Sequence, residues 1–260
     1  MSLIRSERQA DVLVLHLARG RANALNAELL AQLHSAVELA ASDAAVRALV
    51  LASDVPNLFC AGFDVTEVFA YDRVRMREFF SRFVRTFERL RTLPKPVLCA
   101  LAGHAFAGGA ILALAADFRV MAERALIAVN EVDLAVSLPV TMIRALGASA
   151  GPELRRSMLL GAEEVSAPRA LAGGLVSEVL PAADVLAAAV RRAQRLAAKP
   201  AQAFLVHKRA LDPIAGGIVS EAEIEHTVEA WFSEEASARR RALTQRMAEK
   251  LAKPTIARDP

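Results

Sequence analysis

The feature that most constrains this chain is the apolar run from Val97 to Ala116, twenty residues in which His104 is the sole polar side chain. That length suffices to span a bilayer. Gly103, Gly108 and Gly109 interrupt the run, however, and its two halves differ in type. "PVLCAL" has the composition of a buried strand, and "GGAILALAAD" that of a buried helix. The run is therefore expected to form the core of a globular protein with no membrane partner. Glycines between a strand and a helix also leave N–H groups uncovered where the helix macrodipole favours negative charge.

At 260 residues the chain can bury one large core. A charged fraction of 23% argues against disorder, and a net charge of +3 demands no nucleic-acid partner. Cys60 and Cys99 lie in apolar surroundings without metal-ligand spacing, as reduced thiols of a cytoplasmic protein would. The opening "MSLIRSERQAD" lacks the apolar segment of a secretory signal.

Residues 2–7 and 11–18 predict a hairpin turning near Ala10 and Asp11. Asn26 is placed to cap a helix with apolar positions Leu29, Leu30, Leu33, Ala36, Val37 and Ala40. "VRALVLAS" (46–53) reads as a buried strand, followed by a loop, "DVPNLFCAGFD". Met76, Phe79, Phe80, Phe83, Val84, Phe87 and Leu90 then share one face of a long helix whose other face is Arg-rich. "KPVLCAL" and "FRVMA" are further strands on either side of the glycine-led helix. Such alternation predicts an α/β fold with crossover connections. After about residue 140 the pattern is mostly helical, broken by "GLVSEVL", with three helices expected from Asp184 onward. A division into 1–195 and a helical 196–260 is expected, with no Gly/Ser/Pro-rich linker and no fixed-period repeat.

Gly103 and Gly108 stand at phosphate-loop spacing, but Gly109 and Ala110 occupy the places of the required lysine and hydroxyl residue. Nucleotide hydrolysis is thereby disfavoured, and G-x-G-x-x-G is absent. A site for a small oxyanion or a phosphate remains. In "CAGFD" (60–64), Gly62 permits a tight turn and Asp64 can accept from neighbouring amides, as in an ordinary turn. "VNEVDL" places Glu131 and Asp133 after the apolar "ALIAV". A carboxylate buried there would have a raised pKa and could serve as a base, and an exposed acid at a strand end fits the residues equally well. The five histidines form no catalytic or metal constellation, and His104 reads as a hydrogen-bonded structural residue. The basic stretch containing Arg239, Arg240, Arg241, Arg246, Lys250 and Lys253 reads as a solvated face or a contact for a phosphorylated ligand. It lacks the interleaved aromatics that would stack on nucleic-acid bases.

Taken together and in order, "RANALN" (21–26), "FCAGFDV" (59–65), "GHAFAGGAILALAADFRV" (103–120), "NEVDLAVSLP" (130–139) and "ALAGGLVSEVLP" (170–181) resemble the crotonase, or enoyl-CoA hydratase/isomerase, superfamily. The resemblance runs over roughly the whole chain. It implies a spiral core of ββα turns with a helical C-terminal trimerisation region, assembled as a homotrimer or a dimer of trimers. The implied substrate is an acyl-CoA thioester, so coenzyme A enters as part of the substrate, with no separate cofactor and no metal. Its carbonyl oxygen would lie between the N–H groups of Phe63 and Gly108. Arg21, Ala22 and Ala24, with Ala61, Gly62, Asp64 and Val65, would hold the coenzyme A portion, Arg21 meeting a phosphate.

Hydratases of the superfamily use two glutamates, and in this chain the first position is Ile111 while the second is Glu131. One carboxylate suits double-bond migration, with Glu131 removing a proton from C2 and returning it at C4. The pattern resembles Δ3,Δ2-enoyl-CoA isomerases, which also carry an apolar residue at the first position. The extra aspartate of dienoyl-CoA isomerases would fall near Pro139. Ala135 stands where the superfamily usually has glycine, and "LPVTM" replaces a glycine-rich segment. The alternatives are a hydratase, a decarboxylase, or a non-catalytic RNA-binding member of the same superfamily.

Overall fold

The computed structural model describes residues 2–212 and 219–252. Its first two strands, β1 (Ile4–Gln9) and β2 (Val12–Leu17), form the expected hairpin, turning through Ala10. Three runs buried but for Ser53 and Phe118 at their ends, β3 (Ala48–Ser53), β5 (Val97–Leu101) and β7 (Phe118–Ala122), then add in parallel, with β10 (Glu178–Leu180) at the far edge. Burial on both faces explains why these runs are continuously apolar rather than alternating.

A second sheet grows beside the first. Short strands β4 (Leu58–Cys60), β6 (His104–Phe106) and β8 (Leu126–Ala128) pair in parallel, and β9 (Val165–Ser166) closes the sheet antiparallel to β8. Each long strand thus feeds a short one in the neighbouring sheet. Helices follow the first two pairs: α2 (Val65–Val68) and α3 (Arg73–Thr92) after β4, and α4 (Gly108–Leu114) after β6. This is the spiral of ββα turns expected from the resemblance. The "DVPNLFCAGFD" segment is corrected, since its Leu58–Cys60 is a strand rather than loop. Three residues carry no readable period, and only pairing with His104 and Ala105 defines that strand.

Helix α1 (Ala27–Ser42) starts as expected, because Asn26 Oδ1 accepts the Leu29 N–H at 2.9 Å. It packs against α3, whose aromatic stripe from Met76 to Leu90 is buried. The apolar run 97–116 divides into β5, β6 and α4, and no described helix is long and apolar enough to cross a membrane. Gly109 is required by close approach: a Cβ there would lie 2.5 Å from Cys60 O, so α4 rests backbone-to-backbone on β4. Cys60 and Cys99 are free, buried thiols, and desolvation pushes Cys60 up to about 12.

Beyond the spiral come α5 (Val140–Gly147), α6 (Pro152–Leu159) and α7 (Ala167–Ala172). Then α8 (Ala182–Ala197) lays Val185, Ala189 and Ala193 on β3, β5 and β7. Four helices, not the expected three, occupy the described C-terminal residues, since α9 (Ala201–Leu211), α10 (Glu221–Trp231) and α11 (Glu234–Ala252) follow α8. The divisions are local. Pro200 precedes α9, and a capping box between Ser220 and Glu223 opens α10. Ser233 Oγ accepts the Ala236 N–H at 3.1 Å to begin α11. A further correction concerns the basic face: Arg239, Arg241 and Arg246 are exposed, but Arg240 is buried. Lys253 lies outside the described residues.

Candidate active site

Two loops from distant parts of the sequence are laced together around the glycine turn. Ala61 N–H donates to Ala22 O at 3.0 Å, Leu25 N–H to Gly62 O at 2.7 Å, and Asp64 N–H to Leu25 O at 2.8 Å. Gly62, at φ 96°, makes the bend that this lacing requires. A Cβ on Gly62 would also sit 2.9 Å from Ala107 Cβ, so the "CAGFD" loop lies against the start of α4.

The lacing leaves one N–H unused. Leu25 pairs with Phe63 as a parallel bridge through the flanking Gly62 O and Asp64 N–H, so Phe63 N–H faces away from Leu25 and has no acceptor among the described residues. Gly108 N–H, at the first position of α4, also has no acceptor there. Ala107 precedes it at φ 47°, ψ −127°, a conformation that Ala rarely adopts. The Phe63 ring packs against Gly108, where an added Cβ would meet Phe63 Cε1 at 2.9 Å. Two unsatisfied main-chain donors thus sit beside one another in apolar surroundings, an arrangement that would favour a negatively charged oxygen.

Of the side chains expected near this spot, Asp64 is committed to structure. Its Oδ1 accepts from Thr66 N–H and Glu67 N–H at the start of α2, and its Oδ2 accepts from Arg19 Nη2 at 2.7 Å. Arg19 also donates to Ala24 O at 2.8 Å. Sequence reasoning singled out Arg21, yet Arg19 is the arginine that joins the two loops. Arg21 is exposed and without a side-chain partner among the described residues. Ala22 and Ala24 are half-buried through the lacing, Val65 opens α2, and Ala61 is exposed. Asn23, wholly buried at φ 44°, holds the loop further by donating to Ser53 Oγ and Phe59 O.

Glu131 begins a 3-10 turn, Glu131–Leu134, just after β8. It is 9% exposed, and its Oε2 has no hydrogen-bond partner, while Asp133 is exposed. Of the two placements left open, burial holds for Glu131 and exposure for Asp133. Desolvation raises the Glu131 pKa to about 7, opposed only by a hydrogen bond from its own N–H. Asn130 Oδ1 is likewise buried and unpartnered. Ala135, at φ 54°, closes the turn in the left-handed region. Ile111 is fully buried among apolar residues. His104 accepts the Leu126 N–H at 3.1 Å through Nδ1, the structural role expected.

One wall was not anticipated. The Phe63 ring meets Phe79 and Phe83 edge-on at 4.9 and 5.1 Å, and Trp231 of α10 lies 6.4 Å from it. Phe69 joins Trp231 at 5.6 Å, and the Arg240 guanidinium lies 4.4 Å from the Trp231 ring centroid. Helix α11 packs against the Glu131 turn. Phe79 and Phe83 belong to the apolar face expected of α3, and the sequence signal for the part supplied by α10 was the aromatic pair Trp231-Phe232 in a charged segment. No cluster of His, Cys, Asp or Glu among the described residues could hold a metal ion.

The paired-strand spiral and its C-terminal helices place the chain among crotonase-fold proteins. Human mitochondrial Δ3-Δ2-enoyl-CoA isomerase superposes with a TM-score of 0.89 at 24% identity, covering 96% of this chain and 99% of that one, a likeness of fold. A model of the enoyl-CoA hydratase/isomerase family matches residues 7–254, and the chain belongs to that family. Methylglutaconyl-CoA hydratase of Mus musculus is 34% identical over 186 residues, 72% of this chain and 59% of the mouse protein. The chain therefore spans about three fifths of the length of that relative. The 2,3-dehydroadipyl-CoA hydratase of Escherichia coli K12 is 32% identical over 212 residues, covering 81% and 82% of the two chains.

Proposed function

We propose that this enzyme of the enoyl-CoA hydratase/isomerase family moves the double bond of a 3-enoyl-CoA to the 2-position. The observation that carries the reading is the one buried carboxylate among the described residues: Glu131, at the second acid position, has a proton affinity balanced near neutrality, and the first acid position is Ile111. The thioester oxygen accepts from Phe63 N–H and Gly108 N–H. Glu131 removes a proton from C2, and the resulting enolate places its charge on that oxygen. Each such donor contributes about 3 kcal/mol to stabilising the developing charge. The proton then returns from Glu131 to C4, so atoms and charge balance without water or cofactor. Arg21 meets a phosphate of coenzyme A, and the main chain from Ala61 to Val65, with Ala22 and Ala24, borders its nucleotide end. Assembly as a homotrimer or dimer of trimers fits α9, which tucks in its Lys208 side chain but buries no apolar residue within the chain and exposes Val206 and Leu211.

Turnover of 3-hexenoyl-CoA by the protein and by Glu131→Gln tests the reading. Removing the base should lower kcat/KM by about 10²–10⁴-fold, and the wild-type value should rise with pH through about 7. Equal turnover by the two proteins overturns it. Hydration is the second reading, favoured by the names of the mouse and Escherichia coli relatives. Crotonyl-CoA hydration at a rate matching isomerisation would select it.

A further inference from the structure

Arg240 is 8% exposed and has no acidic partner among the described residues. Buried guanidinium groups are ordinarily paired, because removing their charge from water is costly. Its polar contacts are Nη1 to Trp231 O and Nη2 to Ser237 Oγ at 3.1 Å. These use only part of its donor fork. The guanidinium lies 4.4 Å from the Trp231 ring centroid and 5.8 Å from that of Phe69. Desolvation and the neighbouring Arg241 both lower its pKa.

Its position relative to the site gives that charge a use. Trp231 packs on Phe63, whose N–H is one of the two free main-chain donors, and α11, which carries Arg240, packs on the Glu131 turn. A base acting at C2 and C4 lies alongside the acyl group. An acyl chain extending past Glu131 toward α11, which packs on the Glu131 turn, would meet that helix and its aromatic wall. We infer that Arg240 binds an anionic group at the far end of the acyl chain, so that the preferred substrates are CoA thioesters of short dicarboxylic acids. A planar carboxylate matches the guanidinium fork, and the Trp231 and Phe69 rings hold that fork in place. This rests on the acyl-CoA reading above but not on which reaction follows.

Trp231 is the only tryptophan in the chain and lies against Arg240, so its fluorescence reports ligand directly. Adipyl-CoA and hexanoyl-CoA share a six-carbon chain, differ at the far end, and carry no double bond to react. Wild-type protein should bind adipyl-CoA at least tenfold more tightly, and Arg240→Met should abolish that ratio while still binding hexanoyl-CoA. Arg240→Lys, which keeps the charge and the fold, should retain part of the preference. A purely structural arginine would weaken both ligands equally, leaving the ratio unchanged, and that result overturns the inference. Hexanoyl-CoA binding with no adipyl preference in the wild type also overturns it while sparing the acyl-CoA reading. Failure of both thioesters to bind would refute the acyl-CoA reading as well.

Discussion

Glu131→Gln should alter how stability depends on pH more than stability at any single pH. The Glu131 carboxyl is buried without a partner for Oε2, and its pKa rises from 4.5 to about 7. A folded-state pKa above the unfolded one means that the folded chain holds the proton longer. Folding then bears no charge penalty below pH 4.5, and stability falls as pH rises from there to about 7, levelling off above. Between pH 5 and pH 8 the wild type should lose about 2–3 kcal/mol through this one group. Glutamine has nearly the same shape and does not titrate. Its own cost, about 1–3 kcal/mol for a buried amide lacking a full set of partners, is independent of pH. The difference between the two proteins should therefore shift by about 2–3 kcal/mol in favour of the glutamine variant on going from pH 5 to pH 8. Urea unfolding of both at the two pH values measures it, other titrating groups cancelling in the difference. A difference identical at pH 5 and pH 8 would refute the reasoning, because it would mean that Glu131 is ionised at no cost in the folded protein.

Two backbone positions give independent checks. Gly109→Ala places a Cβ 2.5 Å from Cys60 O and 2.6 Å from Cys60 Cβ, which should cost about 1–3 kcal/mol or more by overpacking and appear as a lowered Tm. Conversely, Ala135→Gly relieves a left-handed alanine at φ 54°, and should raise stability by up to about 1 kcal/mol after the glycine's greater unfolded-chain entropy is counted. A lower urea midpoint for the Ala135 variant would show that the turn carries no such strain.

Much of the spiral was legible because it depends on local chemistry. Asn26 announces a helix by its capping oxygen, and the aromatic stripe on α3 declares its buried face through a 3.6-residue period. The short strands of the second sheet were not legible, since β4 and β6 are three residues each and exist only through their neighbours' hydrogen bonds. The breaks between the C-terminal helices were missed for a related reason. Ser220 and Ser233 act as caps only where the chain leaves the helical path, and serine by itself does not say where that happens.

The sequence by itself determined the apolar run with its glycine turn, the alternation that makes an α/β spiral, and the family. It also determined that Ile111 offers no acid where Glu131 offers one. Those are matters of residue type and spacing along one chain. Tertiary structure decided that Glu131 is buried while Asp133 is exposed, although both stood in the same short motif. It decided that Arg19 joins the two loops, and that Arg240 turns inward while Arg239, Arg241 and Arg246 stay exposed. The physical reason is the same in each case. A charge is tuned by what surrounds it in space, and those surroundings are contributed by segments that the sequence keeps far apart.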